Sequence, residues 1–200
     1  MKKLLLGLLI GAVLVFIGQS GVARNAVDDL TEDHHIAAYY ANSVATLVSP
    51  HNLRERMAHG IDDYVLIDVR AADDYERGHI VTAINIDTGT GAERTTDDVL
   101  SEFKEVIADH DGKEIIIYCY SAACMNGRKV GNFLAENGVY VKEMTIGWNE
   151  WRYGWEMWNY DTEWDTYQVE DFIATGTEPG TVPLSAQSIA PCGVEGELSC

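Results

Sequence analysis

Two short, almost unbroken apolar runs organise the chain: residues 64–68, Tyr-Val-Leu-Ile-Asp, and residues 114–118, Glu-Ile-Ile-Ile-Tyr. Runs of this length rich in β-branched residues fit strands buried on both faces, as in a parallel sheet. Helical patterns surround them. Over residues 97–109, Val99, Leu100, Phe103, Val106 and Ile107 recur three and four apart and define one helix face. Ser49 and Pro50 suit the N-cap and first position of a helix running to about Met57, stopped by Gly60. Residues 73–77 predict a helical turn ended by Gly78, and residues 129–137 a helix with Gly138 as its cap. Shorter strands are predicted over 44–48, 83–86 and 139–145. Strands alternating with helices across short connections give an α/β fold, an open parallel sheet flanked by helices.

Both ends depart from this alternation. Lys2 and Lys3, an apolar run over 4–18 and small residues at 21–23 have the layout of a secretory signal peptide over 1–23. The run is short beside the about 20 residues of a membrane span, so cleavage is expected, with an uncleaved anchor as the alternative. The mature chain is then exported, to a periplasmic or similar extracytoplasmic space. Residues 24–48 read as an acidic lead-in segment, where His34 and His35 lack a second cluster and read as surface residues. The main domain is assigned to 49–158 and a C-terminal extension and tail to 159–200. All five tryptophans lie between 148 and 164. Trp148, Trp151, Trp155 and Trp158 share one face of a helix, which reads as cover laid over the sheet, with an aromatic docking surface as the alternative.

Charge narrows the partners. The formal charge of −18 becomes −20 once cleavage after Ala23 removes the two lysines. So acidic a surface disfavours nucleic acid and anionic membranes, and a membrane partner is expected only for an uncleaved anchor. A protein partner is not specified by the sequence. The same background raises the pKa of any thiol, so an activated cysteine here needs local hydrogen-bond donors.

Cys119 closes the second apolar run and is followed by small and polar residues and then a helix. The carboxyl end of a buried strand, facing a helix amino terminus, is where open α/β sheets bind ligands. Unpaired N–H groups there favour a thiolate. Cys192 and Cys200 lie in the tail and read as a disulfide in an oxidising compartment. No CxxC or HxxxH spacing accompanies either cysteine pair, so no metal and no cofactor is expected.

Residues 64–70 with Asp74, Tyr75, Glu76, Gly78, His79, Ile80 and residues 83–86 resemble the first half of a rhodanese domain. Tyr118 and Cys119, then Leu134, Gly138, Gly147 and Trp151, resemble its second half, and residues 48–50 with Leu53 its opening. The resemblance implies a single-domain sulfurtransferase that moves sulfane sulfur from thiosulfate or a persulfide to a thiol or cyanide through a Cys119 persulfide. It implies a substrate loop of Tyr120, Ser121, Ala122, Ala123, Cys124, Met125, Asn126, Gly127 and Arg128. Backbone N–H groups of that loop would point at the sulfur. Asp68, Arg70 and His79 match positions that brace the structure around it.

Two features differ from the usual pattern. Cys124 stands where an arginine is common, five positions after the cysteine, and the loop is about two residues longer. It resembles a variant subgroup with a second cysteine followed by an Asn-Gly pair, here Asn126 and Gly127. Thiosulfate then has fewer fixed positive partners, Arg128 and Lys129 being the nearest. Cys124 is a candidate resolving cysteine, a candidate reactive thiol in its own right, or a buried small residue. The rival readings of the chain are a thiol–disulfide redox protein using Cys119 and Cys124, and a non-catalytic sensing or binding module.

Overall fold

The computed structural model describes residues 31–89, 94–161 and 167–183. The signal segment and the Cys192–Cys200 pair lie outside the described residues. The chain divides into two units, Met1–Val44 and Ala45–Cys200. Helix α1, Glu32–Thr46, opens the described chain, with Glu32 and Asp33 in its first turn and no buried residue. It continues through Thr46, so the strand predicted over 44–48 is reduced to β1, Leu47–Val48.

In the second unit the elements run in order α2 (Pro50–Ala58), β2 (Tyr64–Asp68), α3 (Ala72–Arg77), β3 (His79–Ile80), β4 (Ile84–Asn85), α4 (Thr96–Asp109) and β5 (Glu114–Tyr118). They continue with α5 (Met125–Glu136), β6 (Lys142–Met144), α6 (Trp148–Tyr153), α7 (Trp155–Trp158), a 3-10 turn (Val169–Phe172) and β7 (Ile173–Ala174). The main sheet has the order β1-β6-β5-β2-β4, every neighbour parallel. A second, antiparallel pair joins β3 to β7.

Side-chain alternation along the strands divides the core. Tyr64 and Leu66 of β2, with Ile116 and Tyr118 of β5, face the layer built from α2, α6 and α7, where Leu53, Met57, Trp151 and Trp155 are buried. Val65 and Ile67, with Ile115, Ile117 and Cys119, face the opposite layer. There α4 supplies Val99 and Phe103, and α5 supplies Val130 and Leu134. Cys119 therefore inherits its direction from strand parity. The amphipathic face predicted for 97–109 forms α4, capped by a reciprocal box between Thr95 and Asp98.

Trp148, Trp151, Trp155 and Trp158 belong to the core layer on the α2 side of the sheet, Trp151 fully buried and Trp155 nearly so. One continuous helix does not form. Gly154 ends α6 and begins α7, and a Cβ there would stand 2.9 Å from the Glu150 carbonyl oxygen. Beyond it, the 3-10 turn returns Phe172 to the core beside Tyr167. Arg54, fully buried, lies 4.7 Å from the centre of the Tyr167 ring and donates to Asn159. The described part of the C-terminal extension is thus packed against the domain.

Candidate active site

Strands β2 and β5 are in register, with Asp68 beside Tyr118. Just past this rung lie the two groups of interest, a buried ion pair and a sulfur pair. Asp68 accepts from the Arg70 amide at 2.9 Å, from Arg70 Nε at 3.0 Å and Nη2 at 2.6 Å, and from the Tyr118 hydroxyl at 2.6 Å. Arg70 also donates to the Gly78 carbonyl at 2.7 Å. Burial opposes the guanidinium charge, but Asp68 more than offsets it and raises the Arg70 pKa. Burial, reinforced by Asp68, holds the Tyr118 hydroxyl well above the usual phenol range. It stays a donor to Asp68 and accepts from the Ile80 amide at 3.1 Å. His79 stacks on Tyr75 with centroids 3.7 Å apart, and its ring nitrogens face the carbonyls of Tyr75 and Glu178 at 2.9 and 3.1 Å.

After Cys119 the chain turns back within five residues. The Cys124 amide donates to the Ser121 carbonyl at 2.9 Å, and α5 starts at Met125, four residues earlier than the predicted 129. The loop is tied to α6 because the Trp148 and Asn149 amides donate to the carbonyls of Cys119 and Tyr120 at 3.0 and 2.8 Å. This seam requires glycine at 147. A Cβ there would lie 2.3 Å from the Ser121 nitrogen and 2.6 Å from the Cys119 carbonyl oxygen. Glu150 closes it by accepting from the amides of Gly147 at 3.0 Å and Ala122 at 3.2 Å.

Cys119 and Cys124 are both free thiols, and each influences the other's pKa, in a direction that differs from the one expected for Cys119. Burial pushes the Cys119 thiol up to about 12, helped by its hydrogen bond to Cys124; amides of Tyr120 and Gly127 only partly oppose this. Burial also opposes charge on Cys124. Its pKa is nevertheless lowered, because the Cys119 thiol and the amides of Asn126, Tyr120 and Gly127 donate to it. The first proton to leave the pair therefore leaves a charge on Cys124, at the N-cap of α5. Other loop amides are aimed elsewhere, Ala122 at Glu150 and Cys124 at Ser121.

A cavity of about 80 Å³ opens beside Cys119, with Ser121, Ala122 and Arg128 in its wall. That volume holds a few heavy atoms, the reacting end of a donor rather than a bulky molecule. Leu47, Glu143, Thr145 and Ile146 also line it and were absent from the predicted set. Of these, Glu143 alone had a signal in the sequence: an acid in a strand beside the cysteine strand. The remaining loop residues have other roles. The Tyr120 hydroxyl donates to Asp74, Asn126 donates to Thr88 at 3.0 Å, and buried Gly127 lets α5 approach Cys119. Ala123 and Met125 are exposed. Arg128 lies 3.5 Å from Glu143, so it does not face the cavity as an unpaired cation.

Residues 49–153 match the family model for the rhodanese-like domain. That is more than half of the 200 residues, and the chain belongs to this family. A helix-turn-helix-type transcriptional regulator of Mycobacterium tuberculosis is 30% identical over 134 residues, covering 64% of this chain and 53% of the regulator. The chain thus spans about half the length of that curated relative. Among solved structures, a protein from Bacillus halodurans is 25% identical, with 60% of this chain and 81% of that one covered and a TM-score of 0.47. A rhodanese from E. coli, determined with anions, is 26% identical over 42% of this chain and 86% of its own, with a TM-score of 0.29. Membership of the family points to sulfurtransferase-type or sulfur-binding function.

Proposed function

We propose that the chain is an exported sulfurtransferase, carrying sulfane sulfur on Cys119 from thiosulfate or a persulfide to a thiol or cyanide. The observation that supports it most is the small cavity lined by Cys119, beside which the pKa of Cys119 is raised and that of Cys124 lowered. An isolated thiol with pKa about 8.5 is only a few per cent ionised at neutral pH. Here the Cys124 pKa is lowered, with the Cys119 thiol among the donors that lower it, so Cys124 is the thiol of the pair that ionises first. Movement of the Cys119 proton to Cys124 leaves Cys119 as the thiolate, held by the Tyr120 and Gly127 amides.

The Cys119 thiolate then attacks the outer sulfur of the donor. A new sulfur–sulfur bond forms, the donor's own sulfur–sulfur bond breaks, and sulfite or a thiolate leaves with the electron pair. An acceptor thiolate or cyanide attacks the outer sulfur of the Cys119 persulfide and takes it away, returning the Cys119 thiolate, which recovers its proton from Cys124. In this scheme Cys124 is a base for Cys119.

Mass spectrometry after exposure to a sulfane donor tests the reading. Wild-type protein is expected to gain one sulfur on Cys119, and Cys119→Ser none. Full sulfur transfer by Cys119→Ser would refute the assignment. The influence of each free thiol on the other's pKa also favours a second reading, a thiol–disulfide redox protein. Loss of two hydrogens from the pair, without sulfur gain, is the outcome that reading predicts.

A further inference from the structure

We propose that Glu143 sets donor specificity at this site: its carboxylate, paired with Arg128 in the cavity wall, selects against dianionic sulfur donors such as thiosulfate and for donors carrying one negative charge. The inference rests on the sulfurtransferase reading and names the substrate class of the same site.

Register places the carboxylate there. Glu143 pairs with Ile117 across β5 and β6, and paired residues of parallel strands present their side chains to the same face. Ile117 and Cys119 both face the layer of α4 and α5, so Glu143 stands on the cysteine's face one strand over. The distances agree. A Cβ built on Gly127 would lie 3.1 Å from Glu143 Oε1 and 3.7 Å from the Cys119 Cβ, so the acid and the cysteine flank the same point of α5. Both line the cavity.

The electrostatics follow from the neighbours. Arg128 is the cation among the described lining residues, and its Nε is 3.5 Å from Glu143 Oε2. Lys142, the adjacent residue on β6, is held by Glu114 at 2.6 Å instead. Burial raises the Glu143 pKa, with Arg128 partly opposing it. The carboxylate is thus in a poorly solvated place where a second anion is repelled more strongly than in water. A pocket meant for a dianion would leave its arginine free; here the arginine is neutralised.

Thiosulfate and methanethiosulfonate isolate the charge. Both present a sulfane sulfur on a tetrahedral sulfur centre, but a methyl group replaces one charged oxygen in the second. The full chain, its Glu143→Gln and Glu143→Asp variants and Arg128→Gln are assayed with each donor and the same acceptor. Wild type is expected to use methanethiosulfonate at least tenfold more efficiently by kcat/KM. Glu143→Gln should raise kcat/KM for thiosulfate about tenfold relative to methanethiosulfonate, mostly through KM, and Glu143→Asp should retain the wild-type preference. Arg128→Gln should widen the preference further, which supplies an independent readout should Glu143→Gln fold poorly. An unchanged donor ratio in both Glu143→Gln and Arg128→Gln overturns the inference alone. Failure of both donors to load sulfur on wild-type Cys119 overturns it together with the sulfurtransferase reading.

Discussion

The carboxyl ends of β2 and β5 lie side by side yet solve opposite problems. At the end of β2, Asp68 is fully buried, and its oxygens are filled by Arg70 and Tyr118. That arrangement has no capacity left for a ligand. At the end of β5, Cys119 is also buried, but its neighbour Cys124 is partly exposed, and the pKa of Cys119 is raised while that of Cys124 is lowered. A saturated network locks the backbone; a pair of free thiols beside a cavity is available for chemistry. Loss of the first should cost stability, and loss of the second should cost rate.

The largest effect should come from Asp68→Ala. It leaves Arg70 buried without its partner, and stability should fall by about 3–5 kcal/mol in denaturant unfolding. A fall under about 1 kcal/mol would show that the pair is not the brace described here. Gly147→Ala joins the two regions, because the added Cβ presses the loop at Ser121 and Cys119. Overpacking of this kind costs about 1–3 kcal/mol, and sulfur loading should drop out of proportion, by a hundredfold or about 2.7 kcal/mol in rate.

Much of this contrast can be read from residues 64–70 and 114–119, because continuous apolar strands and their two-residue parity fix which side chain faces which layer. The amphipathic pattern of α4 and the cap at Gly138 are local signals of the same kind. Other features depend on pairings remote in sequence. Two-stranded β3-β7 joins His79 to Ala174, and a two-residue strand at 173–174 has no periodicity to detect. The strand predicted over 139–145 shortens to Lys142–Met144, since pairing with Ile116 and Ile117 ends there. The cysteine at the strand end was legible; the direction of its pKa was not. That direction depends first on how deeply the fold buries the thiol, and the Ala122 amide, which could have opposed it, turns to Glu150.

Two smaller effects sharpen the comparison. In Cys124→Ser the base is lost, and sulfur loading at neutral pH should slow about tenfold at nearly unchanged thermal stability. The Cys119 pKa should fall below about 12, because the neighbouring charge that raises it is gone, while burial keeps it high. Activity of this variant should therefore recover as pH rises. Unimpaired loading at neutral pH would exclude Cys124 as the base. Glu150→Gln keeps the shape of the seam and removes its charge, so about 1 kcal/mol of stability should be lost, read by thermal unfolding. A loss equal to that of Asp68→Ala would erase the distinction between brace and loop.

The most direct test is the pH dependence of initial alkylation rates at Cys119 and Cys124 in wild-type protein, resolved by peptide mass spectrometry. Cys124 should reach its half-maximal rate below the ordinary thiol range, while Cys119 stays protonated toward about 12. A common midpoint near the ordinary thiol value, or Cys119 ionising first, would contradict the shared-proton account.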